Sequence, residues 1–526
     1  MFVGTWAKET PDKLALVSAA SGNGVTYREI NDRSNQLAQC LYRHGIRRND
    51  RVAMFMENNL RFMEIVWAAL RSGLDVVSIN RYATLDEVSY ILNDSGAKAL
   101  ITSFARRDLA GLIPNQERSA RVYLMCDGVV DGWDSYEDAL SDNVPLPLTN
   151  EWMGRIMSYT SGTTGRPKGV VRREADLRIN DPRPDAIHLS RSYRMDENTV
   201  YLSPAPLYHG APIRFARTVQ SVGGTVVMME KFDALESLSL IERYRVTHSQ
   251  WVPTMFVRML RLPEPQRKQF DYSSHRIAIH AAAPCPVEVK RSMIDWWGPI
   301  IYEYYGATDS AGTSTEIAPD EWLAHPGSVG RAPPTLHICD EQGRELPNGE
   351  IGLIYGEANG SIYYWNDPEK TRSAQNPLNP NLMTTGDVGY LDQERYLYLT
   401  DRKAFTIISG GVNIYPQAIE DVIIQHSEVA DVAVIGVPND EMGEEAKAVV
   451  QLNEGTLPSL AIAKEILSFA GERLAAYMVP KSVDFVDALP RLPTGKLYKK
   501  ALRDKYWAGR TLTGAVGGAL RQVKES

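Results

Sequence analysis

Residues 51 to 79 read RVAMFMENNLRFMEIVWAALRSGLDVVSI, and the order of apolar patterns in this stretch decides the fold. Arg51 to Met56 is an apolar run of strand length, Phe62 to Ser72 has helical periodicity, and Asp75 to Ile79 is a second strand. Two strands separated by one helix predict a parallel pair with the helix crossing over the sheet. The pattern extends outward. Tyr27 to Gly45 predicts an amphipathic helix with Ile30, Ser34, Leu37, Ala38 and Leu41 on one face. Leu85 to Asp94 predicts a helix and Lys98 to Thr102 a strand. Further strands are predicted at Thr199 to Leu202, Gly224 to Met229, His248 to Val252, Arg276 to His280 and Ile300 to Tyr304. The fold class is therefore α/β, with parallel-rich sheets flanked by helices.

From about Ile338 to Leu399 the pattern changes to short strands with turn dipeptides such as Asn348-Gly349, which predicts a β-rich subdomain. A small α+β unit begins near Asp401. Ile414 to Gln425 reads as a helix, Val429 to Val437 as a strand, Leu460 to Leu474 as a helix and Lys481 to Val486 as a strand. The expected division is a large domain over 1–401 and a small C-terminal domain over 402–526. Thr511 to Ser526, with Gly517-Gly518 and little apolar periodicity, reads as a loosely held tail.

The 526 residues exceed what one compact core serves, so several subdomains are expected. An apolar fraction of 44% and a charged fraction of 23% are those of an ordinary globular protein. A net charge of −8 argues against nucleic acid or an anionic membrane as the main partner. Cys40, Cys126, Cys285 and Cys339 lie far apart with no metal-binding spacing, so reduced thiols and a cytoplasmic location are expected. There is no signal-peptide pattern, and no apolar stretch reaches the roughly 20 residues needed to span a bilayer.

Residues 159 to 169, YTSGTTGRPKG, combine hydroxyls, glycines and a lysine directly after a predicted strand. Glycines let backbone N–H groups face an anion, hydroxyls donate to its oxygens and Lys168 adds charge, which suits a polyphosphate. A P-loop is excluded, because Pro167 precedes the lysine and no Ser/Thr follows it. An ordinary polar loop between two strands is the competing reading. Ala281 to Pro284 and Tyr305 to Asp309 each follow a predicted strand directly, the place where α/β sheets collect ligands.

With these motifs in order, the chain resembles the adenylate-forming superfamily, specifically its acyl-CoA synthetases (fatty-acid and aryl-acid CoA ligases), over roughly Thr10 to Leu502. The resemblance implies that Thr160, Ser161, Gly162, Thr163, Thr164, Gly165 and Lys168 hold the β- and γ-phosphates of ATP. It implies an adenine pocket formed by Ala282, Ala283, Pro284, Tyr304, Tyr305, Gly306 and Ala307, with Thr308 and Asp309 on the phosphate side. A carboxylate beside phosphates needs an intervening cation, so Asp309 is the expected Mg²⁺ ligand. The family usually has glutamate there, and the shorter Asp309 makes a water-mediated contact plausible. Asp387 is the expected ribose ligand and Arg402 a ribose or phosphate contact. Lys496, in PRLPTGK, corresponds to the lysine that stabilises the adenylation transition state, joined by His209 and Thr308 as expected catalytic residues.

The resemblance also implies an acyl pocket formed by His209, Trp251, Pro253, Gly306 and Ala307, and a CoA path past Gly410 and Gly411. A structural histidine competes with the functional reading of His209. The family's hinge residue is commonly Asp or Lys, whereas Ala404 stands here, and Met478 follows Tyr477 where a CoA-binding lysine is often found. Lys481 and Arg473 are the substitutes on offer. Expected ligands are ATP, Mg²⁺, coenzyme A and a hydrophobic carboxylic acid. A homodimer is compatible with the resemblance, and transfer to a carrier protein is the alternative to CoA.

Overall fold

The computed structural model describes residues 2–113, 120–160, 166–173, 175–306, 312–491, 497–508, 511–512 and 522–523. The unit predicted from 51 to 79 is present: Arg51–Phe55 pairs in parallel with Asp75–Ile79, register Arg51↔Asp75 to Phe55↔Ile79, and Arg61–Arg71 is the crossover helix. Ala99–Ser103 and Val122–Cys126 extend the parallel run on one side, and Arg155–Thr160 extends it on the other. The complete sheet has eight strands.

A second eight-stranded sheet places Ile301–Tyr305, Ile277–His280, His248–Trp251, Val200–Ser203, Thr225–Met228 and Leu14–Ser18 side by side. Helices Arg61–Arg71 and Gly210–Ser221 lie between the two sheets. One apolar cluster joins Val52 and Val76 of the first sheet, Leu16 and Val226 of the second, and Phe62, Trp67 and Phe215 of the helices. Trp67 Nε1 donates to Gln220 Oε1 at 2.7 Å, so the one polar edge of this large buried ring is satisfied by the neighbouring helix.

Predicted elements occur within a few residues of their expected bounds, and the differences have local causes. Helix Tyr27–Arg43 opens with a capping box, Thr26 accepting from Glu29 N, and the chain reverses at Gly45 with φ +76°. The helix expected from Ile414 starts at Pro416, because Ile414 belongs to the hairpin strand Val412–Ile414 and proline suits the first helical position. Leu14–Ser18 was not predicted as a strand; it acquires its extended form by parallel pairing with Thr225–Met228. Among the described residues no helix is long and apolar enough to cross a membrane. The four cysteines are free thiols, and all but Cys285 are buried.

The β-rich subdomain is an antiparallel sheet of Leu336–Cys339, Gly352–Glu357, Leu382–Leu391 and Leu397–Arg402. One strand inside its expected range leaves it. Ile362–Tyr364 pairs with Lys168–Arg172 as the edge of the first sheet, stitching the subdomain to the large domain. The C-terminal unit is a five-stranded sheet, with Gly443–Leu452 at its centre and the long edge strand Val429–Asn439 paired along it, covered by helices Pro416–Ile423, Leu460–Gly471 and Lys499–Trp507. Of the expected tail, Thr511–Leu512 pairs with Gln522–Val523; the remainder lies outside the described residues.

Three histidines of the large domain set an expected acid response. Burial lowers the pKa of His275 and His209 to about 3 and that of His248 to about 4. Folded values below the unfolded 6.5 mean that the unfolded chain binds more protons as pH falls. The stabilisation is complete above pH 6.5 and is lost below it, at roughly 1 kcal/mol per histidine by pH 5.5. In the C-terminal domain burial raises Glu420 to about 7 and Asp421 to about 6, which acts in the opposite direction as pH falls. Replacing His248 with glutamine is expected to flatten the fall of the melting temperature between pH 7.5 and 5.5. An unchanged slope would refute this assignment.

Candidate active site

The second sheet, the antiparallel subdomain and the C-terminal domain meet around a cavity of about 350 Å³. Its floor comes from strand ends. Ile277–His280 runs into Ala282, whose φ of +77° is strained for a residue with a Cβ, and the turn presents Ala282, Ala283 and Pro284 to the cavity. Small side chains there let a flat ligand approach the backbone. Ile301–Tyr305 ends beside it, so Tyr304, Tyr305 and Gly306 line the same space.

Asp387 is the polar centre. Strands Leu382–Leu391 and Leu397–Arg402 pair with Asp387 opposite Arg402, so the register itself brings the two side chains together. Arg402 Nε lies 3.0 Å from Asp387 Oδ1, while Tyr305 Oη and Thr385 Oγ1 each donate to Oδ2 at 2.8 Å. Three donors hold this buried carboxylate in one orientation, which suits an acceptor for a vicinal diol. Burial, followed by the charge of Asp387, raises the Tyr305 pKa well above its usual value, so the hydroxyl keeps its proton.

Tyr304, expected in the adenine pocket, lines the cavity beside Tyr305. Its ring stacks on Phe215 with centroids 5.9 Å apart, and Gln250 Nε2 donates to its hydroxyl at 3.1 Å. Pro253 and Val252 also line the cavity. Trp251, expected on the acyl wall, does not. It is 1% exposed and packs among Phe232, Phe256 and Trp297, with Nε1 donating to Ser249 Oγ at 2.6 Å. Strand alternation explains this placement: Trp251 and Gln250 point to opposite faces, and Gln250 has the side toward Tyr304. His209 caps helix Gly210–Ser221 with its ring 4.3 Å from Tyr208, outside the lining residues of the cavity. Its Nε2 has no hydrogen-bond partner among the described residues, and its pKa of about 3, lowered by burial, makes it neutral at pH 7.

Lys168 opens the strand after the glycine-rich segment, paired with Thr160 across the hairpin. Its ammonium forms an ion pair with Asp367, which the displaced strand Ile362–Tyr364 delivers. That hydrogen bond raises the lysine pKa and lowers the aspartate's. Ser161 to Gly165, Ala307, Thr308, Asp309 and Lys496 lie outside the described residues, as does the side chain of Thr160. Among the described residues no three His, Cys, Asp or Glu side chains converge to hold a metal ion. The Mg²⁺ expectation therefore rests on Asp309 alone.

The C-terminal domain closes the cavity with residues that were not predicted. Arg491 grips Asp431 through two bonds of 2.7 and 2.6 Å, and Arg491 and Leu497 form a β-bridge that Tyr498 N→Pro490 O, 2.8 Å, extends. Lys499 Nζ lies 2.8 Å from Glu420 Oε1 in a buried pair. Burial opposes the charge on Lys499, but Glu420 and Asp401 outweigh it and raise its pKa. Arg491, Leu497 and Lys499, which flank the Lys496 segment in sequence, all line the cavity. Arg491 stands in the PRLPTGK stretch but was given no role there, and Leu497 and Lys499 carry no motif; an opposite-charge pair, Glu420 and Lys499, on two amphipathic helices was the available signal. Gly410 and Gly411, by contrast, form a hairpin tip with φ +56° and +83°, outside the cavity lining. The expected hinge, Ala404, lies in a single 3₁₀ turn, Lys403–Phe405, directly after Arg402.

A cleft with a buried carboxylate held by three donors and a small-residue turn, closed by a second domain, fits the nucleotide-using, adenylate-forming enzymes that the sequence resembles. The chain belongs to the AMP-binding enzyme family, in its acid–thiol ligase branch of acyl-CoA and aryl-CoA ligases. The family profile for AMP-binding enzymes matches residues 3–362, and that for the AMP-binding enzyme C-terminal domain matches residues 418–496. The chain is 32% identical over 522 residues to a long-chain-fatty-acid–CoA ligase of Mycobacterium tuberculosis, covering 95% of this chain and 97% of that one. It is 30% identical over 512 residues to a feruloyl-CoA synthase of Amycolatopsis, covering 96% and 99%. The ATP-bound crystal structure of MatB from Rhodopseudomonas palustris is similar at a TM-score of 0.79 and 29% identity, covering 96% of this chain and 99% of that one.

Proposed function

We propose that this enzyme is an ATP-dependent acyl-CoA synthetase for a hydrophobic carboxylic acid of medium or long chain, aromatic or steroid-like. The convergence of Ala283-Pro284, Tyr305 and the Asp387–Arg402 pair with Arg491, Leu497 and Lys499 around one cavity carries the reading. In the first half-reaction a carboxylate oxygen attacks the α-phosphorus of ATP, the bond to the β-phosphate oxygen breaks and pyrophosphate leaves, giving acyl-AMP. Tyr305 covers one face of the adenine, Asp387 accepts from the ribose hydroxyls and Lys496 offsets the charge that builds on the α-phosphate. Lys168 and the glycine-rich segment support the departing pyrophosphate, which requires Lys168 to exchange Asp367 for phosphate oxygen.

In the second half-reaction the CoA sulfur attacks the acyl carbonyl carbon, the bond to the phosphate oxygen breaks and AMP leaves. The lobe flanking Lys496 is at the cavity while Gly410-Gly411 is outside it, an arrangement suited to the first step. Rotation of the C-terminal domain about Arg402 to Phe405 would exchange the two for the second. A Mg²⁺ ion held by Asp309 would supply charge neutralisation to the phosphates.

The acyl side, with Val252, Pro253 and the Tyr304 ring, supports a hydrophobic acid. A panel of acids assayed with and without CoA, with products identified by mass, tests this reading. Aromatic or longer aliphatic acids are expected to outperform acetate and propionate, and Tyr304→Gly is expected to shift preference toward bulkier acids. Acetate or propionate as the best substrate overturns the assignment. Acyl-AMP that accumulates with CoA present, and is consumed only on adding a carrier protein, would favour carrier loading, as in the 29%-identical fatty acid–[acyl-carrier-protein] ligase of Streptomyces coeruleorubidus.

A further inference from the structure

Arg261 follows helix Pro253–Leu260 of the large domain, at the rim of the cavity. Its guanidinium reaches across the domain boundary, Nη2 donating to Val429 O at 2.9 Å and Nη1 to Ala430 O at 2.5 Å. Successive carbonyls of a regular strand point to opposite edges, so one planar group cannot take two neighbours. Here it can, because the strand Val429–Asn439 breaks register against Gly443–Leu452 between Val429 and Asp431 and leaves Ala430 as a bulge.

The next residue, Asp431, is the carboxylate gripped by both ends of the Arg491 fork, and Arg491 leads directly into the segment that contains Lys496. A continuous path therefore runs from the large domain through Arg261, the bulge, Asp431 and Arg491 to the approach of Lys496. Burial lowers the Arg261 pKa against the pull of Asp431, and a guanidinium stays a cation in proteins.

We propose that Arg261 is a positioning residue for acyl-AMP formation, clamping the bulge at Ala430 so that the C-terminal domain holds Arg491, Leu497 and Lys499 at the cavity. The clamp must open before the C-terminal domain can rotate for thioester formation. It therefore acts on one half-reaction and is absent from the other. An arginine is required, since a lysine ammonium is a point donor that cannot match two carbonyls set side by side in a plane.

The inference rests on the two-step reading above, and the experiment separates their failures. Full-length wild type, Arg261→Ala and Arg261→Lys are each assayed for pyrophosphate release from acid and ATP without CoA. Thioester formation from supplied acyl-AMP and CoA is then measured separately. Arg261→Ala is expected to lower kcat for pyrophosphate release about tenfold, a loss of roughly 1.4 kcal/mol, with KM for the acid within about twofold. Its rate of thioester formation should be unchanged or raised. Arg261→Lys should fall between, and it serves as the test should Arg261→Ala fail to fold. Equal losses in both half-reactions, or none in either, overturn the role of Arg261 while wild-type activity leaves the functional reading standing. A wild type that releases no pyrophosphate with any acid overturns the functional reading itself, and the clamp with it.

Discussion

Lys496→Ala is expected to lower acyl-AMP formation by about 10²- to 10³-fold while leaving thioester formation from supplied acyl-AMP within a few-fold of wild type. The reason is that charge accumulates on the α-phosphate only as the carboxylate attacks. A cation placed there lowers the barrier more than it strengthens ground-state binding. Removing one preorganised donor of this kind costs about 3–4 kcal/mol. The residues on either side of the Lys496 segment in sequence are fixed: Arg491 is forked onto Asp431, Leu497 bridges back to Arg491, and Lys499 is anchored on Glu420. Pyrophosphate release measured for wild type and variant, with thioester formation measured separately, checks the expectation. Equal pyrophosphate release would reject the mechanism, and equal losses in both steps would point to damaged folding.

Lys499→Met is expected to destabilise the C-terminal domain by about 3–5 kcal/mol, because it strands the Glu420 carboxylate in the interior. Lys499 is 6% exposed and Glu420 7%. Glu420 also accepts from Val434 N at 2.6 Å, which fixes its position whether or not the lysine is present. Its pKa, raised to about 7 by burial, gives the variant a partial escape through protonation, so the loss should shrink as pH falls from 8 to 6. Replacing both partners with apolar residues of similar volume, Lys499→Met with Glu420→Leu, should recover most of the stability, since a buried pair often does little better than good packing. Denaturant melts of the single and double variants decide the matter. A double variant as unstable as Lys499→Met would mean that Lys499 is needed for packing and not for charge compensation.

Much of the large domain was legible in the pattern of residues because buried parallel strands are continuous apolar runs and their helices are amphipathic. Arg51–Phe55, Arg61–Arg71 and Asp75–Ile79 fall where periodicity put them. Leu14–Ser18 and Ile362–Tyr364 were missed or misassigned because their strand state depends on partners far away in the chain, Thr225–Met228 and Lys168–Arg172. Gly443–Leu452 begins GEEAKA, a polar alternation that reads weakly until Val429–Asn439 and Ser482–Phe485 pair with it. Within the site, motif residues such as Tyr305, Asp387 and Arg402 could be named in advance, and the structure brings these three into contact. Trp251 could not be placed, because a tryptophan at a strand end fits either face until the register with its neighbours is known.

By itself the amino-acid sequence supplied the expectations of chemistry: hydroxyls, glycines and Lys168 for a polyphosphate and, through the family resemblance, Asp387 for a diol and Lys496 for a developing charge. Side-chain chemistry and local spacing are properties of the chain alone. Only the tertiary structure decided which groups act together. Cross-strand register set Asp387 against Arg402, an edge strand from the β-rich subdomain brought Asp367 to Lys168, and a bulge at Ala430 let Arg261 bind two successive carbonyls. Each of these contacts joins residues distant in sequence, and their energies come from burial and alignment that exist only when the chain is folded.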